Sequence, residues 1–336
     1  MANIKHVAKA AGVSVSTVSR VVNGSAKVAP DKKALVESAM ADLGYRPNSL
    51  ARALVSQRSN CIGLMVGELG SPFFAQMMAG VDDVVVAGGR HLMMTSGYND
   101  LAREEVALDL LQQRQCDALI IHAKALSDER LQAVASGSAP VVFINRSVPG
   151  YEDQSIFLDN QQGTYLATRH LLGRGHRRIA FICSNLIHVA DGHERLDGYR
   201  QALAEFDVVY DESIVAWAFP NEDGGNAAMG ELLGRNHKFS AVMAYNDVMA
   251  AGAIGLLLDS GFEVPHDMSV VGFDDLVITK YLRPRLTTVH YPIAAMGRTA
   301  AELVLQLLDK KPPLAAEKLR FTPRLVVRHS VKTYRG

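Results

Sequence analysis

The first 45 residues carry apolar positions at helical spacing. Ile4, Val7, Ala8 and Ala11 share one face of a predicted helix, which Gly12 ends because glycine tolerates the left-handed backbone conformation. Ser14 can cap a second helix whose valines at 18, 21 and 22 face inward. A third helix begins at Pro30, ends at Gly44 and has an apolar stripe of Leu35, Val36, Ala39, Met40 and Leu43. The pattern predicts an all-α head in which the first two helices form a helix-turn-helix.

From residue 60 onward, short apolar runs alternate with longer segments of helical period. The runs predict strands at 62–66, 91–95, 118–122 and 141–144, and again at 179–183, 214–217, 241–244 and 269–272. Helices are predicted at 72–87, 100–114, 127–136, 161–174, 191–206, 223–235 and 247–260. Repeated βαβ units predict parallel sheets with helices on both faces, so we expect an α/β body of two lobes with a cleft between them. A late helix at 293–309 and a strand near 318–327 are expected to cross back.

Charge changes this picture for the head alone. Residues 1–60 hold nine Lys/Arg and three Asp/Glu, a net +6, while the remaining residues carry −6 and the whole chain is neutral. A basic head on an acidic body indicates a polyanionic partner for the head. No apolar run is long enough to cross a bilayer, no secretory signal opens the chain, and three widely spaced cysteines suggest neither disulfides nor zinc. We therefore expect a cytoplasmic protein.

The start of the second helix is the predicted site of base reading. In a helix-turn-helix this end meets the major groove, and here it presents Val15, Ser16 and Thr17, with Arg20 one turn later. Arginine can donate two hydrogen bonds to guanine, whereas Thr17 and Ser19 are placed for phosphates. The alternative is a plain three-helix bundle with a polar face. The local charge favours double-stranded DNA as the partner.

Long runs of the chain resemble the lactose/galactose repressor (LacI/GalR) family. The resemblance begins with I-K-H-V-A-K-A-A-G-V-S-V-S-T-V-S-R-V-V-N-G and Y-R-P-N-S-L-A-R-A-L. It continues, nearest to the galactose branch, through H-A-K-A-L-S-D at 122–128, I-N-R-S-V-P-G-Y at 144–151, A-Y-N-D-V-M-A-A-G-A at 244–253 and R-P-R-L-T-T-V-H-Y-P-I at 283–293. This resemblance implies a periplasmic-binding-protein-like body with crossovers between its lobes. It also implies a repressor that a small sugar, galactose for this branch, releases from its operator.

Residues 46–59 are predicted to form a hinge. Proline disfavours helix at Arg46, and Asn48 can cap a helix of about two turns, which is too short to be stable alone. The resemblance implies that DNA and the same helix of a second subunit stabilise it, with Leu54 wedged into a minor-groove step. Leu54 can alternatively be a linker residue packed on the core. Our candidate DNA contacts are Val15, Ser16, Thr17, Ser19, Arg20, Asn23, Asn48, Ala51 and Leu54.

Polar and aromatic residues follow the predicted strands of the body, where ligands bind on parallel sheets. Asn145 and Arg146 follow one strand, and Asn246 and Asp274 follow two others. Such groups match sugar hydroxyls, and aromatic faces cover sugar C–H surfaces. Asn246, Asp247, Asp274 and Asp275 can instead be helix N-caps. With positions that match effector contacts of the family, the candidate effector residues are Phe74, Asn145, Arg146, Arg195, Phe219, Asn246, Asp274 and Tyr291. Relatives carry Asn or Asp where this chain has Ser71.

The sequence disfavours two other functions and leaves a third open. An enzyme is disfavoured because the chain has no Walker loop, G-x-S-x-G, H-E-x-x-H or C-x-x-C motif, and we expect no cofactor and no metal. A sugar-binding transport protein should carry an export signal and no basic helix-turn-helix. A family regulator that answers to another sugar, activates, or uses its ligand as a corepressor stays open.

The expected domains follow from these elements. They are a helix-turn-helix domain at 1–45, the hinge at 46–59 and an effector-binding and dimerisation domain at 60–336. The first lobe is expected at about 60–160 and 292–318, and the second at about 161–291 and 319–330. No leucine heptads follow the final strand, so we expect a homodimer without the tetramerising helix of the lactose repressor.

Overall fold

A computed structural model describes residues 2–22, 28–45, 59–186, 189–312 and 314–335. The chain divides into two compact units, Met1–Asn60 and Cys61–Gly336, each of which packs mainly against itself. None of the helices in the described ranges is both long enough and apolar enough to span a bilayer.

The first unit contains three described helices, as predicted. They are α1 (Ile4–Ala10), α2 (Val15–Val22) and α3 (Pro30–Asp42), and each contributes one completely buried valine, Val7, Val18 and Val36. Gly12 joins α1 to α2 with a φ of +64°, the left-handed conformation that a residue with a side chain rarely adopts. Burial of one small apolar face per helix therefore leaves the rest of α2 available at the surface.

Two leucines of the predicted stripe of the third helix are not buried. Leu35 is 55% exposed and Leu43 is 39% exposed. The helix packs through Val36 and Ala39 instead, so Leu35 lies one position off the packed face and Leu43 lies just after the last turn. The prediction that they belong to the core was wrong because the face that α1 and α2 cover is narrow.

The second unit begins with a parallel sheet. Its strands are β1 (Cys61–Val66), β2 (His91–Ser96), β3 (Ala118–Ile121), β4 (Val141–Ile144) and β5 (Ser155–Leu158), and the helices between them are α4 (Pro72–Ala87), α5 (Leu101–Gln113) and α6 (Asp128–Ala135). In the described residues the strand order is β11-β5-β4-β3-β1-β2, where β11 is the late strand Arg320–Phe321, and every pairing is parallel.

A second sheet repeats this plan. Its strands are β6 (Ile179–Ser184), β7 (Val215–Ala218), β8 (Ala241–Ala244), β9 (Ser269–Asp274), β10 (Thr287–His290) and β12 (Arg324–Val326). The helices are α7 (Asn160–Gly173), α8 (Ala190–Glu205), α9 (Glu222–Gly234) and α10 (Asp247–Asp259). Over the described part of the chain the order is β12-β10-β9-β8-β6-β7, and only the β10–β12 pairing is antiparallel. The predicted two-lobed α/β body is thereby confirmed.

The chain passes between the lobes more than once. After β10 in the second lobe, α11 (Ile293–Leu308) returns and packs on α4 of the first lobe. A Cβ built on Gly80 would lie 2.1 Å from the carbonyl oxygen of Ala294, and one built on Gly297 would lie 2.4 Å from that of Met77. The two helices therefore approach closely enough that only glycine fits at these positions, and the returning helix is held tightly in the first lobe.

The chain passes from the first lobe to the second for the last time a few residues later than the boundary expected at residue 319. Arg320 and Phe321 pair with β5 in the first sheet, and Arg324 to Val326 pair with β10 in the second. The expected strand near 318–327 is thus two short strands in different sheets, and the crossing lies between Phe321 and Arg324. Strands β5 and β10 were not predicted, because S-I-F-L and T-T-V-H contain polar residues and lack the fully apolar run of the four-residue strands β3 and β4, which were predicted.

Candidate DNA interface and ligand cleft

Helix α2 presents the predicted base-reading residues at the surface. Val15 is 42% exposed, Ser16 and Arg20 are exposed, and Thr17 and Ser19 are half-buried, while Val18 between them is completely buried. This alternation follows from the helical period, because burying Val18 turns the remaining positions of the turn outward. The five candidates therefore form one outward face.

Ser14 fixes the start of this helix as the sequence predicts. Its hydroxyl oxygen accepts a hydrogen bond from the backbone N–H of Thr17 at 3.2 Å, and it lies 2.8 Å and 2.9 Å from the hydroxyls of Ser16 and Thr17. Four further candidate DNA contacts, Asn23, Asn48, Ala51 and Leu54, lie outside the described residues. Their roles stay predictions.

A cavity of about 100 Å³ lies between the two lobes of the second unit, at the carboxyl ends of strands of both sheets. Most of the predicted effector residues line it, namely Phe74, Asn145, Arg195, Phe219, Asn246 and Asp274, and Ser71 joins them there. Six of the eight predicted effector residues therefore lie together at this cavity. The lining from the first lobe also includes Glu68, Phe73, Asn99, His122 and Lys124, and that from the second includes Leu186, Val189, Asp191, Pro220 and Tyr245.

Buried polar atoms without a partner converge on this cavity. Seven buried side-chain atoms of the described residues make no hydrogen bond, and three of them are Asp274 Oδ1, His122 Nδ1 and Asn99 Oδ1. All three residues line the cleft, two from the first lobe and one from the second. A buried polar atom without a hydrogen bond costs free energy, so these three atoms are suited to bind a polar ligand.

Arg195 is held rigidly on the second-lobe wall. Its guanidinium donates to the carbonyl of Tyr245 at 2.5 Å and to Asn160 Oδ1 at 3.1 Å, and it lies 3.8 Å from Asp274 Oδ1. The same group stacks 3.8 Å from the centroid of the Phe273 ring and 4.3 Å from that of Tyr245. With these contacts fixed, Arg195 offers its remaining N–H groups to the cleft in one orientation.

The acidic and amide residues that could be caps have different roles. Asn246 does cap α10, since its Oδ1 accepts from the N–H of Met249 at 2.9 Å, although it also lines the cleft. Asp247 accepts from Thr288 and Leu276, and Asp275 pairs with Arg328 and His290, so both hold the second lobe together. Asp274 caps none of the described helices. It is the carboxylate that remains available to a ligand.

Burial sets the protonation of two lining residues. It raises the pKa of Asp274 to about 7, against the opposing effect of Arg195. It lowers the pKa of His122 to about 3, and the charge of Lys124 acts in the same direction. The His122 imidazole is therefore neutral at physiological pH and can donate or accept, whereas Asp274 can change its protonation state near neutrality.

A buried ion pair crosses the cleft. Lys124 follows β3 of the first lobe and Asp191 lies in the first turn of α8 in the second, and their charged atoms are 2.8 Å apart. Lys124 also donates to the carbonyl of Asn145 at 2.6 Å, and Asn145 Nδ2 donates to the second oxygen of Asp191 at 2.9 Å. Burial would raise the pKa of Asp191, but the charges of Lys124 and Arg195 outweigh it and lower that pKa. The three residues Lys124, Asn145 and Asp191 form the inter-lobe bridge.

Arg146 and Tyr291 are not part of the cavity lining, contrary to expectation. Arg146 donates to the carbonyl of Leu126 at 2.7 Å and pairs with Asp128 at 2.7 Å, and it lines a neighbouring cavity of about 330 Å³ instead. Tyr291 is 1% exposed, and its hydroxyl donates to Asn145 Oδ1 from behind the cleft wall. Strand ends and family positions, on which both predictions depended, fix where a residue lies but not where its side chain points.

Sequence reasoning missed His122, Lys124 and Asp191. His122 directly follows β3 and Lys124 lies two residues further on, so the rule that placed Asn145 and Asn246 at the cleft could have found them. Asp191 lies four residues before Arg195 on α8 and hence on the same helix face. No spacing in the sequence indicates that Lys124 and Asp191 meet across the cleft.

A helix-turn-helix unit followed by two lobes that enclose a polar cleft defines a ligand-responsive DNA-binding regulator. Comparison with known proteins narrows this class. Residues 3–48 match the family model of bacterial regulatory proteins of the lacI family, and residues 168–331 match the periplasmic binding protein-like domain. The HTH-type transcriptional regulator GalR of Escherichia coli (strain K12) is 46% identical over 333 residues, which cover 99% of this chain and 96% of that protein. The chain belongs to the LacI family.

Solved structures agree with this assignment. A complex of the transcriptional regulator CelR with cellobiose is 32% identical, has a TM-score of 0.72 and covers 98% of this chain and 100% of its own. The lac repressor dimer bound to operator and the anti-inducer ONPF is 28% identical, has a TM-score of 0.86 and covers 98% and 99% of the two chains. The protein is therefore a DNA-binding transcriptional repressor of this family and not an enzyme.

Proposed function

We propose that this repressor binds galactose in the inter-lobe cleft and that the sugar releases it from the operator of a galactose-utilisation operon. The observation that carries the proposal is the convergence of Asp274 Oδ1, His122 Nδ1 and Asn99 Oδ1, all buried and without a hydrogen bond, on one cavity. A carboxylate oxygen, an imidazole nitrogen and an amide oxygen are suited to the hydroxyls of a sugar ring.

The rest of the lining fits the same ligand. Phe74 and Phe219 provide aromatic surface for sugar C–H groups, and Phe219 is 44% exposed at the rim, where it can close over a bound ring. The cationic Lys124 and Arg195 lie against Asp191 and Asp274, so the fixed charges are balanced within the protein. This balance favours a neutral sugar over a sugar phosphate.

Resemblance narrows the sugar. Among monosaccharides, galactose is selected by the resemblance to the galactose branch of the family. A related regulator that was solved with cellobiose supports a sugar as the ligand class.

Regulation follows from the position of the cleft between two lobes. A ligand that contacts both lobes stabilises the lobe arrangement it fits best, and it shifts the population of the protein only by its differential affinity for the two arrangements. We propose that the sugar-bound arrangement is the one with low operator affinity. The repressor would act as a homodimer on a near-palindromic operator in the cytoplasm, because a two-fold protein presents two identical reading helices.

Calorimetric titration tests this function. Galactose, its C4 epimer glucose and galactose 1-phosphate are titrated into the protein alone and into the protein saturated with operator DNA. We expect galactose to bind best, and operator to weaken that binding by a factor of about 5 to 150, since linkage makes the two effects reciprocal. Equal galactose affinity with and without operator would refute induction, and tighter binding with operator would identify a corepressor.

Asp274→Ala tests the site assignment. The variant should bind operator like the wild type but fail to respond to galactose. Asp197→Ala serves as the matched control, because Asp197 is an acidic residue of α8 with a 59% exposed side chain away from the cavity. Normal galactose affinity in Asp274→Ala would show that the ligand lies elsewhere.

A further inference from the structure

Two cysteines meet at one end of the first-lobe sheet. Strand β1 begins at Cys61, and Cys116 lies two residues before β3 begins at Ala118. These strands are parallel neighbours with Ile62 opposite Ala118, and the backbone N–H of Asp117 donates to the carbonyl of Cys61 at 2.8 Å. Both residues are thiols.

The space above β1 explains why the sulfurs meet. A Cβ built on Gly63 would lie only 3.2 Å from Cys116 Sγ, so this sulfur lies over the face of β1 to which Gly63 belongs. Side chains two residues apart on a strand share a face, and Cys61 is therefore on the same side as Gly63. The glycine leaves room for the Cys116 sulfur beside that of Cys61.

The two thiols differ in access and acidity. Cys116 is 7% exposed, whereas Cys61 is half-buried at the start of its strand. The hydrogen bond from Cys116 lowers the pKa of Cys61, although burial and the charge of Asp117 oppose this effect. The same hydrogen bond, together with burial, raises the pKa of Cys116. The thiolate therefore forms on the more accessible sulfur, and the thiolate is the reactive form of cysteine.

We propose that Cys61 and Cys116 are an oxidation site that peroxides convert into an intramolecular disulfide. The Cys61 thiolate attacks one peroxide oxygen, so that an S–O bond forms, the O–O bond breaks and hydroxide leaves. Cys116 Sγ then attacks Cys61 Sγ, the S–S bond forms, the S–O bond breaks, and the departing hydroxide takes the Cys116 proton as water. Two thiols lose two electrons in total, and hydrogen peroxide is reduced to two molecules of water.

The third cysteine is an internal reference. Cys183 lies in β6 of the second lobe, has no exposed surface and donates to the carbonyl of Gly192. Burial raises its pKa to about 12, so it holds its proton under the same conditions. Oxidation by a general, unselective route would reach Cys183 as well after local opening, whereas the proposed route leaves it reduced.

Peptide mapping of the full-length protein tests the proposal. The protein is treated with hydrogen peroxide, remaining thiols are blocked with N-ethylmaleimide under denaturing conditions, and tryptic peptides are analysed without reduction. The three cysteines fall in separate tryptic peptides, 59–90, 115–124 and 179–195. We expect peptides 59–90 and 115–124 to be linked in the wild type and in Cys183→Ser, with peptide 179–195 of the wild type blocked by N-ethylmaleimide.

Serine variants identify the order of the steps. Cys116→Ser should stop at the sulfenic acid of Cys61, which dimedone traps, and Cys61→Ser should leave Cys116 at least tenfold slower to oxidise. Absence of the linked peptide from the wild type, with Cys61 carried on to sulfinic acid, would overturn the proposal. When a mixture of isotope-labelled and unlabelled protein is oxidised, a disulfide that joins a labelled peptide to an unlabelled one is intermolecular, and that result would also overturn the proposal. The wild-type result decides the matter even if a serine variant folds poorly.

Discussion

Removal of the Lys124 ammonium measures what the inter-lobe bridge contributes to stability. Lys124→Met keeps the length of the side chain but leaves the Asp191 carboxylate buried without its cation, and the carbonyl of Asn145 also loses a donor. Both charged side chains of the pair are less than a tenth exposed. Breaking a buried pair from one side leaves an uncompensated charge, which costs about 3–5 kcal/mol. We expect Lys124→Met to lower the free energy of unfolding by this amount.

The same substitution at the surface is the matched control. Lys311 pairs with Asp309 at 2.9 Å, but the two side chains are 63% and 42% exposed. Water already solvates such a pair, so its loss costs about 0–1 kcal/mol. Lys311→Met should therefore be nearly silent. The charged atoms are almost equally far apart in the two ion pairs, so the difference between the two losses of stability measures the effect of burial.

Urea unfolding provides the measurement. The single tryptophan of the chain, Trp217, lies in β7 and reports the second lobe by fluorescence, while far-ultraviolet circular dichroism reports helices of both lobes. The double variant Lys124→Met/Asp191→Asn removes both charges and should recover most of the loss, because neutral replacement of a buried pair is often tolerated. If Lys124→Met lowers the free energy of unfolding no more than Lys311→Met does, Lys124 and Asp191 are not an interacting pair. The same conclusion follows if the loss in the double variant equals the sum of the losses in Lys124→Met and Asp191→Asn.

Four other predictions concern Asp274 and the DNA contacts. The pKa of Asp274 is near 7, and its carboxylate is the proposed acceptor for a sugar hydroxyl, so galactose affinity should rise about tenfold from pH 6 to pH 8. Binding at pH 6.5 should also release a fraction of a proton. Calorimetry in buffers of different ionisation enthalpy measures this release, and its absence would contradict the prediction. Because the folded protein holds this proton where the unfolded chain has lost it, Asp274 contributes stability that decreases as the pH rises from about 4 to 7. Arg20→Ala should cost about 1–3 kcal/mol of operator discrimination, whereas Thr17→Ala should weaken operator and scrambled DNA alike; an equal loss on both DNAs for Arg20→Ala would exclude base reading. Leu54→Ala should reduce DNA bending and operator affinity but not galactose affinity, and an unchanged bend angle would rule out the wedge.

Helices whose apolar pattern extends over several turns were predictable to within a residue or two. Helix α4 was expected at 72–87 and is Pro72–Ala87, since sixteen residues give more than four turns of pattern and a proline marks the start. The four-residue strands β3 and β4 were predicted because every residue in them is apolar, whereas β5 (S-I-F-L) and β10 (T-T-V-H) include polar residues and were missed. A continuous apolar pattern, rather than length alone, decided what could be predicted.

For the candidate site, the sequence predicted which strand-end residues reach the cleft but not the direction of every side chain. Strand ends placed Asn145, Asn246 and Asp274 at the cleft, because topology alone brings such ends together. The side-chain direction of Arg146 and the burial of Tyr291 depend on neighbours distant in the sequence, Asp128 and Asn145. The pairing of Lys124 with Asp191 joins residues 67 positions apart in two lobes, and only the fold brings them together.

The interleaving of the lobes has a consequence for how this protein can be cut and recombined. The first lobe is assembled from residues between Cys61 and α7 and from α11 and β11, and the second lobe is completed by β12 after them. Neither lobe is one continuous stretch of sequence, so no single cleavage or gene fusion point can deliver one of them whole. The helix-turn-helix unit, in contrast, is continuous in sequence, with its own buried valines. Exchange of DNA specificity between relatives therefore requires one crossover in the gene, whereas exchange of a single ligand-binding lobe requires several.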